Sequence, residues 1–119
     1  MLIMVAGPYS TGGADSVQRA ANLTVLNEAA LRVFRRGHIP VIGVNAALPI
    51  IAVAGDTSYD EIMMPVSLAL AERCDACLRI GGPSAGADAE VERFQGRGLP
   101  VYRSLDDIPL GSVDSTATS

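Results

Sequence analysis

Two glycine-rich loops and one glutamate carry the residue types and spacing that could do chemistry. The first loop, residues 7–13, reads GPYSTGG, and the second, residues 81–86, reads GGPSAG. Each follows a short apolar run and precedes a helical pattern, so each presents free N–H groups at a helix N-terminus, where an anion is favoured. Glu90 stands four residues beyond the second loop. A carboxylate at that place would lie beside both loops, at the carboxyl ends of the predicted strands.

Each of these features also has a plainer interpretation. Glu90 could be a solvated helix residue that pairs with Arg93 one turn further on. Ser84 could be an ordinary helix N-cap that closes a tight strand-to-helix turn, and the first loop carries the same ambiguity. Neither the Walker spacing nor the dinucleotide fingerprint is present, so ATP hydrolysis and NAD chemistry are disfavoured.

The cysteines and the histidine point away from redox, zinc and triad chemistry. Cys74 and Cys77 spell C-x-x-C, but they straddle a helix end and a strand start, whereas a redox pair needs its first thiol at a helix N-terminus. We interpret them as buried small residues. His38, the only histidine, is expected to be structural, on the sheet face opposite the site. Two cysteines and a distant histidine are too few ligands for zinc, and we expect no metal and no organic cofactor.

The hydrophobic pattern predicts strands that alternate with helices along the chain. Such a pattern implies right-handed crossovers and a parallel sheet, for which we predict the strand order 2-1-3-4. The expected fold class is α/β, with three layers and a mostly parallel sheet of four to five strands, flavodoxin-like or Rossmann-like. Pro65 should kink its helix or mark a first turn. The predicted strands are 2–6, 39–44, 75–80 and 99–103, and the predicted helices are 15–36, 46–54, 59–73 and 85–97, with one further turn at 104–108.

Length and composition limit the partners of this chain. Its 119 residues predict one domain over 1–110, followed by a disordered tail at 111–119. A net charge of −4 and few aromatic residues argue against nucleic acid as a partner. No apolar run approaches the roughly 20 residues that a membrane span needs. Two cysteines do not make a disulfide framework, and we expect a cytoplasmic protein.

At the two loops the sequence resembles the nucleoside 2-deoxyribosyltransferase superfamily, including its small uncharacterised branch and the nucleoside 5′-monophosphate N-glycosidases. The order and spacing of the matching pieces extend over about residues 2–103. The pieces read AGPYS at 6–10, RAAN at 19–22, RGHIP at 36–40, CD at 74–75, SAGADAE at 84–90 and GLPV at 98–101.

The resemblance implies cleavage of the N-glycosidic bond of a nucleoside or nucleotide. In that family the last residue of the SAGADAE motif is the nucleophile, here Glu90, and the aromatic residue after Gly-Pro places the sugar, here Tyr9. The transferases hold the free 5′-hydroxyl with an aspartate where this chain has Ser84, as the monophosphate hydrolases do. We therefore expect a 5′-monophosphate substrate, and assign substrate and phosphate binding to Gly7, Pro8, Ser10, Ser84 and Gly86.

The family also has an aspartate that protonates the leaving base, and the equivalent position here is near Ser67. Asp60 and Asp56 stand in the preceding segment without aligning, and we take Asp60 as the candidate catalytic acid. Met63, Met64 and residues 46–54 are expected to fill the core, with a base pocket or an oligomer contact as the alternative. The resemblance further implies a homodimer or a larger homo-oligomer.

Two alternatives to hydrolysis stay open at this stage. The first is a nucleotide-binding or sensing module without catalysis, which the serine at position 67 favours. The second is a deoxyribosyltransferase, against which Ser84 argues. The resemblance leaves the base open, as well as the choice between ribose and 2-deoxyribose.

Overall fold

The apolar run at the start of the chain forms the centre of a four-stranded parallel sheet. The computed structural model describes residues 1–111. In it β1 (Leu2–Ala6) lies between β2 (Ile39–Val41) and β3 (Ala76–Arg79), and β4 (Val101–Tyr102) pairs with β3. The order β2-β1-β3-β4 confirms the predicted topology. Because β1 and β3 are central and almost entirely buried, the loops after them meet at one edge of the sheet.

Four helices pack around this sheet and confirm the three-layer α/β fold. The apolar stripe of α1 buries Leu26 and Val33 against Ile3 and Leu78 on one face. Phe94 of α4 and the end of α3 pack on the other face. The helices are α1 (Ser16–Arg35), α2 (Gly43–Ala54), α3 (Tyr59–Ala71) and α4 (Ala85–Gly96), with short 3-10 turns at Thr11–Gly13, Asp56–Ser58 and Leu105–Asp107.

A third cluster of buried side chains joins α2 to α3. Ala47, Ile51 and Met63 form its centre, and Tyr9 from the first loop and Tyr59 pack against it. Since Tyr9 lies three residues after the carboxyl end of β1, this helix pair forms one wall above that edge of the sheet.

Several predicted boundaries are wrong in detail. The second strand was expected over 39–44, but it ends at Val41 and α2 begins at Gly43 instead of residue 46. The start of α2 packs closely against α3 because residue 43 is glycine. A Cβ at this position would collide with Ser67 of α3. The other two shortened strands, β3 and β4, keep only the residues that pair with a neighbouring strand. Pro65 lies inside α3, beyond its first turn, and the helix continues past it.

The amino ends of the strands are closed by His38 and the last described residues. The buried His38 ring has Nδ1 2.9 Å from the Met1 amine and Nε2 2.6 Å from the Pro109 carbonyl oxygen. The Gly111 N–H donates to the Arg36 carbonyl at 2.7 Å. His38 thus has structural contacts, as expected, but at the amino end of the sheet and not on its opposite face. Apart from Gly111, the predicted tail lies outside the described residues.

The longest described helix, α1, is amphipathic, and the apolar α2 has only 12 residues. Within residues 1–111, no helix combines the length and apolar character that a bilayer crossing requires.

Candidate functional site

A cavity of about 420 Å³ opens where the first and second glycine-rich loops meet α3 and α4. It lies at the carboxyl ends of β1 and β3, which is where parallel sheets commonly hold ligands. Pro8 does not line it; this ring packs against Gly81 and borders a smaller cavity. The predicted site residues that do line the main cavity are Gly7, Tyr9, Ser10, Asp60, Ser84, Gly86 and Glu90.

Glu90 places a carboxyl group in the wall of this cavity. It lies in the second turn of α4 next to Val91, which packs into the core, and only 8% of its surface is exposed. It forms no salt bridge with any residue in the described part of the chain. Burial raises the pKa of Glu90 to about 7, and the nearby Arg79 opposes the shift without cancelling it. Burial thus favours the protonated form of this carboxyl group much more than in a solvent-exposed glutamate.

Arg79 does not neutralise Glu90 because its guanidinium group is committed elsewhere. Its Nε donates to Asp88 Oδ1 at 3.3 Å, and an Nη donates to the Gly82 carbonyl at 2.8 Å. Another Nη donates to the carbonyl of Ile80. This buried arginine thereby fixes the path of the second loop. The loop in turn sets the position at which α4 begins.

The N-terminus of α4 forms the polar side of the cavity. Ser84 is its N-cap, and the Ser84 hydroxyl oxygen accepts a hydrogen bond from the Ala87 N–H at 3.2 Å. The first helical bond runs from Asp88 N–H to the Ser84 carbonyl, so the N–H groups of Ala85 and Gly86 precede the helical ladder. Ser84 thus has the capping role of the plainer interpretation, while its hydroxyl proton stays available to donate.

Two tyrosines form the opposite side. The Tyr59 hydroxyl donates to Ser10 Oγ at 3.0 Å, which ties the start of α3 to the first loop. Both Tyr9 and Tyr59 line the cavity. Sequence reasoning missed Tyr59, although an aromatic residue directly before the candidate acid Asp60 was an available signal. Burial is the main reason that the pKa of Tyr9 is raised.

The position expected for a base-protonating aspartate is occupied by a buried serine. Ser67 lines the cavity, and its hydroxyl lies 3.9 Å from the sulfur of Met63. Asp60, seven residues earlier on the same face of α3, also lines the cavity and is exposed, whereas Asp56 borders only a neighbouring groove.

The apolar lining comes from α3 and from the start of α2. Met63 is buried in the core, as expected, and borders the cavity as well, together with Met64. None of residues 46–54 lines the cavity; Val44, just before them, does.

The cysteines are buried free thiols, as predicted. Burial raises the pKa of Cys74 to about 11 and that of Cys77 to about 12. Both thiols are therefore protonated at neutral pH, which does not suit a redox pair. Over residues 1–111, no three His, Cys, Asp or Glu side chains cluster in a way that could hold a metal ion.

No model of a known protein family matches this chain, and no curated protein matches it. The family resemblance therefore stays a prediction.

Burial of Glu90 predicts a specific dependence of folding stability on pH. Because the folded pKa, about 7, lies above the ordinary value of 4.5, the folded state binds this proton more tightly than the unfolded state. The contribution of Glu90 to the free energy of unfolding is therefore greatest below pH 4.5, and it is lost as the pH rises through about 7. The loss amounts to about 3 kcal/mol at roughly 1.4 kcal/mol per pKa unit. Urea unfolding should therefore show Glu90→Gln more stable than wild type at pH 8, with a smaller difference at pH 5.

Glu92→Gln is the matched control for this measurement, since Glu92 is an exposed residue of the same helix. It should follow wild type at both pH values. Equal pH dependence in wild type and Glu90→Gln would contradict the raised pKa.

Proposed function

We propose that this protein hydrolyses the N-glycosidic bond of a nucleoside 5′-monophosphate. One observation carries the proposal: Glu90, a buried carboxyl group without an ion-pair partner among residues 1–111, lines the same cavity as Tyr9 and the N-terminus of α4. A nucleotide has a phosphate, a sugar and a base, and each part has a complementary wall in this cavity.

The phosphate would bind at the N-terminus of α4. The positive end of the helix dipole and the N–H groups of Ala85 and Gly86 favour an anion there, and the Ser84 hydroxyl can donate to a phosphate oxygen. Gly86 supports this assignment, because a Cβ at that position would meet only the Met64 sulfur, at 3.6 Å. Packing does not require a glycine at this point of the helix, whereas close approach of a ligand to the backbone would favour one.

The base would lie against the apolar side of the cavity, which Val44, Met63, Met64 and Tyr59 line. Aromatic and thioether side chains pack well against flat heterocycles. With the phosphate at α4 and the base at α3, the sugar lies between them, beside Glu90 and Tyr9.

Hydrolysis would then proceed in two displacements. An ionised Glu90 oxygen bonds to C1′ while the bond from C1′ to the base nitrogen breaks, and the base leaves with the electron pair and takes up a proton. Water next attacks C1′, loses a proton and releases the sugar phosphate with a free Glu90 carboxylate. Ser67 is too weak an acid to protonate the base, so Asp60 or water must supply that proton.

A second candidate function is nucleotide binding without catalysis. The buried Ser67 hydroxyl favours it, since this position has the sulfur of Met63 as its partner and no carboxyl group. Under this alternative the same walls hold the nucleotide, but the base is not released.

The main function is tested with a panel of nucleoside 5′-monophosphates and the matching nucleosides. Wild type should release free base from monophosphates, and the rate should rise with pH through about 7 as Glu90 ionises. Glu90→Gln should lower base release by at least about 10²-fold, the scale of losing a group that takes part in bond making. Mass spectrometry of quenched wild type should detect a glycosyl adduct on Glu90.

Glu92→Gln again serves as the control and should retain the wild-type rate. Binding without base release by wild type would favour the binding module. Undiminished base release by Glu90→Gln would contradict the nucleophile assignment.

The preference for a phosphate is tested separately with Ser84→Asp. Aspartate caps a helix as well as serine does, so α4 should keep its N-terminus while the new carboxylate repels a phosphate. We expect KM for the monophosphate to rise about 10-fold or more, equivalent to roughly 1.4 kcal/mol, with little change for the nucleoside. An unchanged KM for the monophosphate would place the phosphate elsewhere.

We also propose a homodimer or larger homo-oligomer, in a cytoplasmic setting that suits two free thiols. The support is α2, which has no charged residue and leaves Ile50 and Val53 49% and 91% exposed; an uncharged apolar face favours contact with a second copy. Analytical ultracentrifugation should find an oligomer that Val53→Asp weakens. A wild-type monomer at tens of micromolar would contradict this.

A further inference from the structure

We propose that Arg19 and Asn22 of α1 are positioning residues, which together fix Tyr9 in the wall of the cavity. The RAAN motif at 19–22 is otherwise without a function, and it lies directly behind the first loop. The inference rests on the proposed function only for the identity of the ligand, because Tyr9 borders the cavity whatever molecule binds there.

Arg19 holds the aromatic rings. The centre of its guanidinium group lies 5.9 Å from the Tyr9 ring centroid and 5.2 Å from that of Tyr59, both within the range of a cation–π interaction. The guanidinium group is in no salt bridge with the described residues. The two tyrosine rings are therefore its main partners.

Asn22 holds the backbone of the same loop. Its Nδ2 donates to the Tyr9 carbonyl oxygen at 2.7 Å, and Gln18 Nε2 donates to its Oδ1 at 2.9 Å, which orients the amide. Because residues three apart share one face of a helix, Arg19 and Asn22 reach the loop side by side. One helix therefore fixes both the backbone and the ring of Tyr9.

Core packing alone does not explain an arginine at position 19. Arg19 Nε is buried and, among residues 1–111, has no hydrogen-bond acceptor. A buried donor without a partner costs free energy that an apolar side chain of similar volume would avoid. Tyr9 and Tyr59 separate the cavity from a groove that Arg19 borders. A cation on that side holds both rings in place, which a methionine or leucine would do only by weaker dispersion.

The positioning role is tested by ¹⁹F NMR of the full chain labelled with 3-fluorotyrosine. The chain has three tyrosines, so three resonances are expected, assigned with single Tyr→Phe variants. Arg19→Gln should shift the resonances of Tyr9 and Tyr59 and leave that of Tyr102 in place. Asn22→Ala should shift Tyr9 most. Arg19→Lys should shift both resonances less than Arg19→Gln does, because it keeps the charge.

Arg35→Gln is the matched control, because Arg35 is an exposed arginine at the far end of the same helix. It should move none of the three resonances. If Tyr9 keeps its wild-type resonance in both Arg19→Gln and Asn22→Ala, while circular dichroism shows folded protein, the positioning role is wrong.

The kinetic arm uses the best-hydrolysed monophosphate of the panel. Arg19→Gln should lower kcat about 10-fold or more, since misplacement of about 1 Å near the reacting atoms can cost up to 10²-fold. KM should stay within about 2-fold, because the phosphate wall at α4 is untouched. In a Tyr9→Leu background, Arg19→Gln should add little further loss.

The two arms separate the two claims. A wild type that hydrolyses no nucleotide would overturn the proposed function, and the NMR shifts would still decide the positioning role. Equal kcat losses from Arg19→Gln with and without Tyr9 would show that Arg19 acts independently of Tyr9, and would overturn the inference.

Discussion

The central constraint in this molecule is a carboxyl group that the fold buries without neutralising. Glu90 lies in α4 among residues that pack into the core, and only 8% of its surface is exposed. The cation best placed to compensate it, Arg79, has its donors committed to the second loop and to Asp88. Burial therefore dominates and raises the pKa of Glu90 to about 7. A group poised near neutral pH and facing a cavity is typical of a functional site.

The sheet explains why Glu90 lies close to the first loop. Parallel pairing of β1 with β3 brings the first and second loops to the same edge, although 67 residues (14–80) lie between them in sequence. The α2–α3 pair then adds an apolar wall that the sheet alone would not provide. The cavity is therefore polar along α4 and apolar along α3, with Glu90 near the boundary. That division suits a ligand with an anionic end and a flat heterocyclic end.

Much of this arrangement follows from the sequence, because the features that determine it are local. Apolar runs bounded by Gly-Pro and Gly-Gly marked β1 and β3, and strand–helix alternation then limited the sheet to few topologies. The location of Glu90 beside the first loop followed from the same topology. The place of Tyr59 in the cavity wall did not, because it depends on how α2 packs against α3. That packing depends on the absence of a side chain at Gly43, which hydrophobic periodicity does not reveal. The Pro8 ring turns toward Gly81 and does not line the main cavity, a detail of the loop path that the sequence pattern does not reveal.

The tyrosine wall connects the two halves of the site. Ser10 accepts a hydrogen bond from Tyr59, which joins the first loop to α3, while Asn22 joins the same loop to α1. Tyr9 and Tyr59 of α3 are also linked through Arg19, whose guanidinium group lies over both rings. On the other side, α4 is tied to β3 through Arg79 and does not share these contacts. The α4 side of the cavity is thus tied to the sheet by the buried Arg79, and the α3 side is tied to the first loop by Tyr59. The two sides of the cavity are therefore held by separate sets of contacts, and a substitution on one side leaves the contacts of the other side in place.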